Sequence, residues 1–257
     1  MSTPPEHPRP LHGWTVLSLR PRGQHEALRD AANRRGARLM ALSPFAIELL
    51  TGAAHLQTLK QALLADMLIW TSPNAVRAAA AVHPLAARRD QIWLAVGSGT
   101  RRALQRVGIA ARAPVRMDSE GLLAMPELQD VRGCSIGLIT APAGRGLLAP
   151  SLAERGAVVL RADVYARRTI AINARALAAL EAALAAPHHL LLALSSGEAL
   201  PCLLAATSQH SALMDIAVVA ASERLADVAR EAGFRRITIA SSAAPAALLR
   251  AAAKAFV

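Results

Sequence analysis

Short apolar runs recur along the chain, each closed by a polar or glycine-bearing turn and followed by an alanine-rich stretch. The runs at 15–20, 37–42, 67–70, 94–96, 110–115, 135–139, 157–165, 190–194, 216–221 and 236–240 have the length and content of buried strands, and Phe45-Ala46-Ile47-Glu48-Leu49 continues extended. The segments between them predict helices. The first runs from Gln24 to Arg35, with Ala27, Leu28, Ala31 and Ala32 on one face and Gly36 as its stop. Others lie near Leu56–Leu64, after Pro73, from Gly97 to Gly108, from Asp118 to Leu123, up to Arg155-Gly156, over 173–186 and over Pro245–Phe256. Strands alternating with helices in this way predict an α/β fold of parallel sheets covered on both faces. Ligands of such sheets sit in the loops at the carboxyl ends of the strands.

One stretch, Ala65 to Ala79, states the unit most clearly. Its apolar run Met67–Trp70 stops at Thr71-Ser72-Pro73-Asn74, where Ser72 is a natural N-cap, Pro73 fits the first helical position and Asn74 follows at the open amino end. Such an end carries unpaired N–H groups and a partial positive charge, and so suits an anion. The same grammar returns at Leu190–Leu200, with Ser195-Ser196-Gly197 in place of Thr71-Ser72-Pro73. A second pair follows: Leu94-Ala95-Val96-Gly97-Ser98-Gly99-Thr100 leads into a helix ending at Gly108, and Ile216–Ser222 into one ending at Gly233. The two pairs keep nearly the same spacing, which indicates two copies of one α/β unit.

Composition adds bounds. At 257 residues and 53% apolar content the chain can form two packed domains. Aromatics make up only 3%, which argues against stacking on nucleic-acid bases. No apolar run reaches the roughly 18 residues of a membrane span. Met1 to His12 holds four prolines and no apolar core, and reads as a disordered tail rather than a signal peptide. Cys134 and Cys202 lie in different repeats without CxxC spacing, as reduced thiols of a cytoplasmic protein would. The charge is unusual: 29 Lys+Arg against 18 Asp+Glu, formally +11, much of it in arginine pairs such as Arg101-Arg102 and Arg167-Arg168. Nucleic acid, a small polyanionic substrate and a merely solvated surface all fit that excess, but the pairs are scattered and no basic helix or arm collects them.

Candidate chemistry is sparse. His188-His189 are adjacent and would point to opposite faces of a strand, and no other histidine has a partner at metal-ligand spacing. There is no GxSxG elbow around Ser72. Gly97-Ser98-Gly99 lacks the remainder of a phosphate loop, and Gly144-Arg145-Gly146 is a weaker match still. Tyr165, the single tyrosine, stands at the end of a strand beside Arg167-Arg168, where one repeat hands over to the other. It fits equally a filler of the seam between repeats and a hydrogen-bond donor strengthened by cationic neighbours.

Taken together, Arg20-Pro21-Arg22, Trp70-Thr71-Ser72-Pro73-Asn74-Ala75-Val76, Val96-Gly97-Ser98-Gly99-Thr100, Ser119-Glu120-Gly121-Leu122-Leu123, Glu154-Arg155-Gly156-Ala157 and Val164-Tyr165 resemble, in order and spacing from about Gly13 to Phe256, the uroporphyrinogen-III synthase family. The resemblance implies two α/β domains joined by a two-strand linker: 13–43 with 169–257, and 44–168, after a tail at 1–12. It implies cofactor-free closure of hydroxymethylbilane to uroporphyrinogen III, with loss of water and inversion of the last pyrrole ring, in a cleft between the domains. By position it makes Tyr165 the catalytic donor, and Arg20, Thr71, Ser72, Asn74, Gly97, Ser98, Thr100, Ser195, Ser196 and Ser222 the substrate-binding residues. One departure stands out: Ser222-Glu223-Arg224-Leu225 carries a leucine where a threonine is expected, so that Ser222 or Arg224 would have to substitute. The expected partner is the small polycarboxylate substrate alone, bound by a monomer, with no metal, nucleic acid or membrane. The rival readings are a catalytically silent relative and a two-domain binding protein for a small polyanion.

Overall fold

The computed structural model describes residues 9–142 and 146–257. In chain order the elements are β1 (Thr15–Ser18), α1 (Glu26–Asn33), β2 (Arg38–Ala41), β3 (Phe45–Leu49), α2 (Ala53–Leu63), β4 (Met67–Trp70), α3 (Pro73–Val82), β5 (Ile92–Ala95), α4 (Ser98–Arg106) and α5 (Ser119–Leu123). They continue with β6 (Ser135–Thr140), α6 (Leu148–Glu154), β7 (Val158–Asp163), β8 (Tyr165–Thr169), α7 (Ala174–Ala183), β9 (Leu190–Leu194), α8 (Ala199–Ala206), α9 (His210–Met214), β10 (Ala217–Ala220), α10 (Glu223–Glu231), β11 (Arg236–Ile239) and α11 (Pro245–Phe256). The fold is α/β, and the chain divides into two compact units: the residues up to Ala46 with Thr169–Val257, and Ile47–Arg168.

The discontinuous unit carries a parallel sheet ordered β11-β10-β9-β1-β2. Side-chain alternation along its strands sorts the core into two layers. Leu17, Leu190, Leu192 and Leu194 pack on one face, and Val16, Leu191 and Ala193 on the other. The continuous unit carries a parallel sheet ordered β5-β4-β6-β7. Leu68 and Trp70 enter one layer, Met67 and Ile69 the opposite one. Burial on both faces is why these strands read as continuous apolar runs rather than alternating ones. A separate pair, β3 and β8, carries the chain from one unit to the other and back. Ile170 N–H donates to Pro44 O at one end of this pair and Leu50 N–H to Val164 O at the other, an antiparallel arrangement.

Several expectations need correction. Of the tail expected at 1–12, residues 1–8 lie outside the described residues, but Leu11 is fully buried and its N–H bonds Arg35 O at 2.9 Å, so ordered chain precedes Gly13. The strand expected at 110–115 reduces to a single parallel bridge, Leu94 to Arg112, because Pro114 can donate nothing to a longer ladder. The long run 157–165 is two strands: β7 pairs with β6, and at Val164 the N–H bonds Thr140 O while the C=O already accepts from Leu50, so the chain changes partner there. Tyr165, expected at the end of a strand, instead begins β8, which also holds Arg167 and Arg168. His188 and His189 sit in a 3-10 turn, not on a strand. Gly144 and Arg145 of the weak Gly144-Arg145-Gly146 match lie outside the described residues.

Candidate active site

In the continuous unit the chain runs outward from β4 to β5 on one side and from β6 to β7 on the other. The order therefore reverses between β4 and β6, the place where open parallel sheets leave a crevice beyond their carboxyl ends. Register pairs Trp70 with Ile139, so Thr71 and Thr140 follow side by side. The Thr71 hydroxyl lies 2.9 Å from Thr140 Oγ1 and 3.3 Å from Ile139 O, tying the two strand ends together at this place.

Ser72 is extended (φ −159°, ψ 159°) and caps α3, its Oγ accepting from Ala75 N–H at 3.0 Å with Pro73 at the first helical position. The same Oγ lies 3.0 Å from the hydroxyl of Tyr165 on β8. When Ser72 donates to Tyr165, the phenolic proton is left free for a third group, and donation of this kind polarises the phenol as a donor. Tyr165 is only 4% exposed and packs in the layer that holds Trp70, Trp93 and Val164; only its hydroxyl is tied to the crevice. Arg167 and Arg168, the cationic neighbours expected to act on it, are exposed, and Arg168 pairs with Glu48 at 3.6 Å instead.

The loop after β5 is the second wall. Gly97 is extended and caps α4 without a side-chain bond, and a methyl group built on Gly99 would lie 3.6 Å from Pro73 Cγ. The amino-terminal turns of α3 and α4 are therefore neighbours, and neither carries an acidic residue. Their unpaired N–H groups and positive poles reinforce one another toward an anion. Ser98 is half-buried at the start of α4, and Asn74 is half-buried with its Oδ1 accepting from Arg77 at 2.8 Å. Thr100, expected to present its hydroxyl, is 2% exposed: it shares the inward face of α4 with Ala103 and Leu104. A separate cavity of about 530 Å³, lined by Arg101, Gln105, Gly108, Ile109, Ala110 and Ala111, lies toward the far end of α4 and contains none of these candidates.

In the discontinuous unit the order reverses between β1 and β9, and register there pairs Ser18 with Ala193. Two residues further on, Arg20 and Ser195 stand side by side at the strand ends. The Arg20 guanidinium donates to Ala243 O at 3.3 Å, while its Nε is buried without a partner. Burial lowers its pKa from the ordinary value, with no carboxylate contributing. A half-buried cation with an unpartnered Nε is a ready receiver for an incoming carboxylate. Ser195 and Ser196 are half-buried. The echo of Ser72 is imperfect here, because α8 starts only at Ala199 after a turn at Gly197-Glu198, so neither serine caps it. Ser222 is exposed and extended before α10, and makes no side-chain cap bond. Leu225 is buried in the core, so the loop after β10 offers no hydroxyl at that place.

Two participants escaped the sequence reading. Thr140 became visible only through the β4–β6 register, which no local pattern reveals. His25 is buried at 6% exposure, with Nδ1 2.9 Å from Ser18 Oγ and Nε2 2.7 Å from Ser43 Oγ. Burial, then Arg29 and Arg20, push its pKa below the ordinary value, with Glu26 opposing. It clamps the loop that carries Arg20 to the start of the chain's crossing. Among the described residues, no group of three His, Cys, Asp or Glu side chains is placed to hold a metal ion, and no helix is long and apolar enough to cross a membrane.

The family described as uroporphyrinogen-III synthase HemD matches residues 26–250. The chain belongs to the uroporphyrinogen-III synthase family. Its relatives include the uroporphyrinogen-III synthases of Salmonella typhimurium, 33% identical over 214 residues (73% of this chain, 82% of the relative), and of Escherichia coli, 32% identical over 200 residues (72% and 78%). Among solved structures, a mutant uroporphyrinogen III synthase from Thermus thermophilus shares the fold with a TM-score of 0.59 at 23% identity, covering 94% of this chain and 98% of the other. The Helicobacter pylori enzyme does so with a TM-score of 0.61 at 15% identity, covering 94% and 98%. Both similarities bear on the fold alone.

Proposed function

We propose that this chain is a hydro-lyase of tetrapyrrole synthesis that closes hydroxymethylbilane to uroporphyrinogen III, with Tyr165 as proton donor and both switch-point crevices receiving the substrate's carboxylates. Family membership over residues 26–250 carries the activity. The pairing of Ser72 with Tyr165 at 3.0 Å supports the role of the donor. The hydroxymethyl C–O bond breaks as the phenolic proton passes to the departing oxygen, releasing water. The electron-rich pyrrole stabilises the cation left behind, so no strong acid, metal or redox group is required. Attack from the substituted carbon of the last ring then gives a spiro intermediate. The bond from that carbon to its original methylene breaks, the freed methylene bonds the ring's unsubstituted α-carbon, and the proton lost there restores the phenol. The ring thus ends inverted, and the protein's part is to hold the substrate in the geometry favouring the first attack.

Gly97, Ser98, Asn74, Thr71 and the α3 and α4 termini serve as anion receivers in one unit, and Arg20, Ser195, Ser196 and Ser222 in the other. The acid-free helix starts and the unpartnered Arg20 Nε support that assignment. Thr100 acts indirectly, by packing the start of α4. We take the enzyme to work as a cytoplasmic monomer, in keeping with its free thiols Cys134 and Cys202. The test is a coupled assay in which hydroxymethylbilane is supplied and the product isomer is read by chromatography. Isomer III is expected; isomer I alone, the spontaneous product, would mark a silent relative.

A further inference from the structure

In the family resemblance a threonine stands where this chain has Leu225, and the structure shows what occupies its neighbourhood. A methyl group built at Gly197 would lie 3.5 Å from Leu225 Cδ2 and 3.8 Å from Arg224 Nη1. The first turn of α10 thus leans over the Ser195-Ser196-Gly197 turn, with an apolar side chain sealing the interior and a guanidinium above it. Arg224 is exposed and, among the described residues, has no hydrogen-bonded or ion-paired acceptor. Its chain neighbour Glu223 projects elsewhere on the helix, since adjacent helical residues do not face one another. Across the same strand ends stands Arg20, whose Nε also has no partner. The strand ends of the discontinuous unit therefore carry two guanidinium groups, Arg20 with its Nε unpartnered and Arg224 exposed above the turn.

We propose that Arg224 is a substrate-binding residue: it grips a carboxylate of the tetrapyrrole at the Ser195–Gly197 turn, in place of the hydroxyl that Leu225 lacks. This deepens the functional reading above and rests on it for the identity of the substrate. A guanidinium can meet a carboxylate with two parallel N–H bonds, which a threonine cannot, so the exchange trades a neutral contact for a charged one. Because the group is exposed and meets the carboxylate in ground state and transition state alike, it should act on KM and leave kcat largely alone.

The experiment compares wild type, Arg224→Gln and Arg224→Lys, first for binding of uroporphyrin, a stable tetrapyrrole polycarboxylate, and then for turnover of hydroxymethylbilane. Arg224→Gln should weaken uroporphyrin binding and raise KM about five- to twentyfold with kcat within about twofold, and should flatten the salt dependence of KM. Arg224→Lys should recover part of the affinity, and the thermal midpoint should not move in either variant. Wild-type affinity in Arg224→Gln would overturn the proposal, as would equal losses in both variants accompanied by a lowered midpoint. The binding arm keeps the two readings apart. A wild type that makes only isomer I strikes the synthase reading, whereas Arg224 is judged by the loss or retention of uroporphyrin affinity.

Discussion

His25 lies between two serine hydroxyls with no carboxylate in contact, and Arg20 and Arg29 repel any charge it acquires. A neutral imidazole donates from one ring nitrogen and accepts at the other; protonation turns both into donors, so the serine that had donated must turn round to accept, and a charge is placed in a buried site beside two arginines. Since its folded pKa lies below the ordinary 6.5, the stabilisation is fully present above pH 6.5 and is lost as pH falls from there toward the folded value. Urea unfolding should show stability falling on acidification through that window, with the fall absent in His25→Asn. At Ser72 one oxygen holds both the α3 cap and the Tyr165 hydroxyl. Ser72→Ala should therefore lower unfolding free energy by about 1 kcal/mol, the worth of a lost cap, and also lower turnover. Tyr165→Phe keeps the ring in its packing layer and removes only the hydroxyl. Turnover should drop about ten- to a thousandfold, with stability changed far less than by a truncation to alanine. Unchanged turnover in Tyr165→Phe would return the residue to a filler of the core.

At the scale of elements, β6 and α2 approach so closely that a methyl group at Gly137 would stand 2.2 Å from Ala62 O and 2.6 Å from Leu68 Cδ2. Neither the backbone oxygen nor the strand can give way cheaply, so Gly137→Ala should cost about 2 kcal/mol or more and shift the urea midpoint downward. Glycine here is required by a helix pressed on a sheet, which the run Ser135–Ile139 alone did not reveal. Elements set by local chemistry were legible: Ser72-Pro73 announces α3 through its cap and first-turn proline, and Gly36 and Gly108 stop their helices at positive φ. Elements set by partners were not. The run 157–165 is largely apolar, so periodicity could not show that its pairing changes at Val164. Ala110–Val115 looked like a strand, yet only Arg112 finds a bridge. The candidate site divides in the same way. Ser72 and Tyr165 stood out by type and position, and Thr71 and Arg20 entered through the family resemblance, whereas the inward turn of Thr100, the role of Thr140 and the His25 clamp depend on tertiary placement.

For the whole molecule, duplication supplies one switch-point crevice per unit, but the copies are differently equipped. One presents two neighbouring acid-free helix starts and a tyrosine hydroxyl; the other presents arginines and serines. If both hold carboxylates of a single substrate, affinity should fall as salt screens exposed charges, and KM should rise several-fold between about 0.05 and 0.5 M ionic strength. A KM indifferent to salt would move binding to the apolar rings of the substrate. Binding of substrate carboxylates in each unit is tested most directly by amide hydrogen exchange with and without uroporphyrinogen III. Slowed exchange is expected in both places at once, at the starts of α3 and α4 and in the Arg20–Gly23 and Ser195–Leu200 loops. Protection confined to one unit, with the other exchanging as in the free protein, would contradict it.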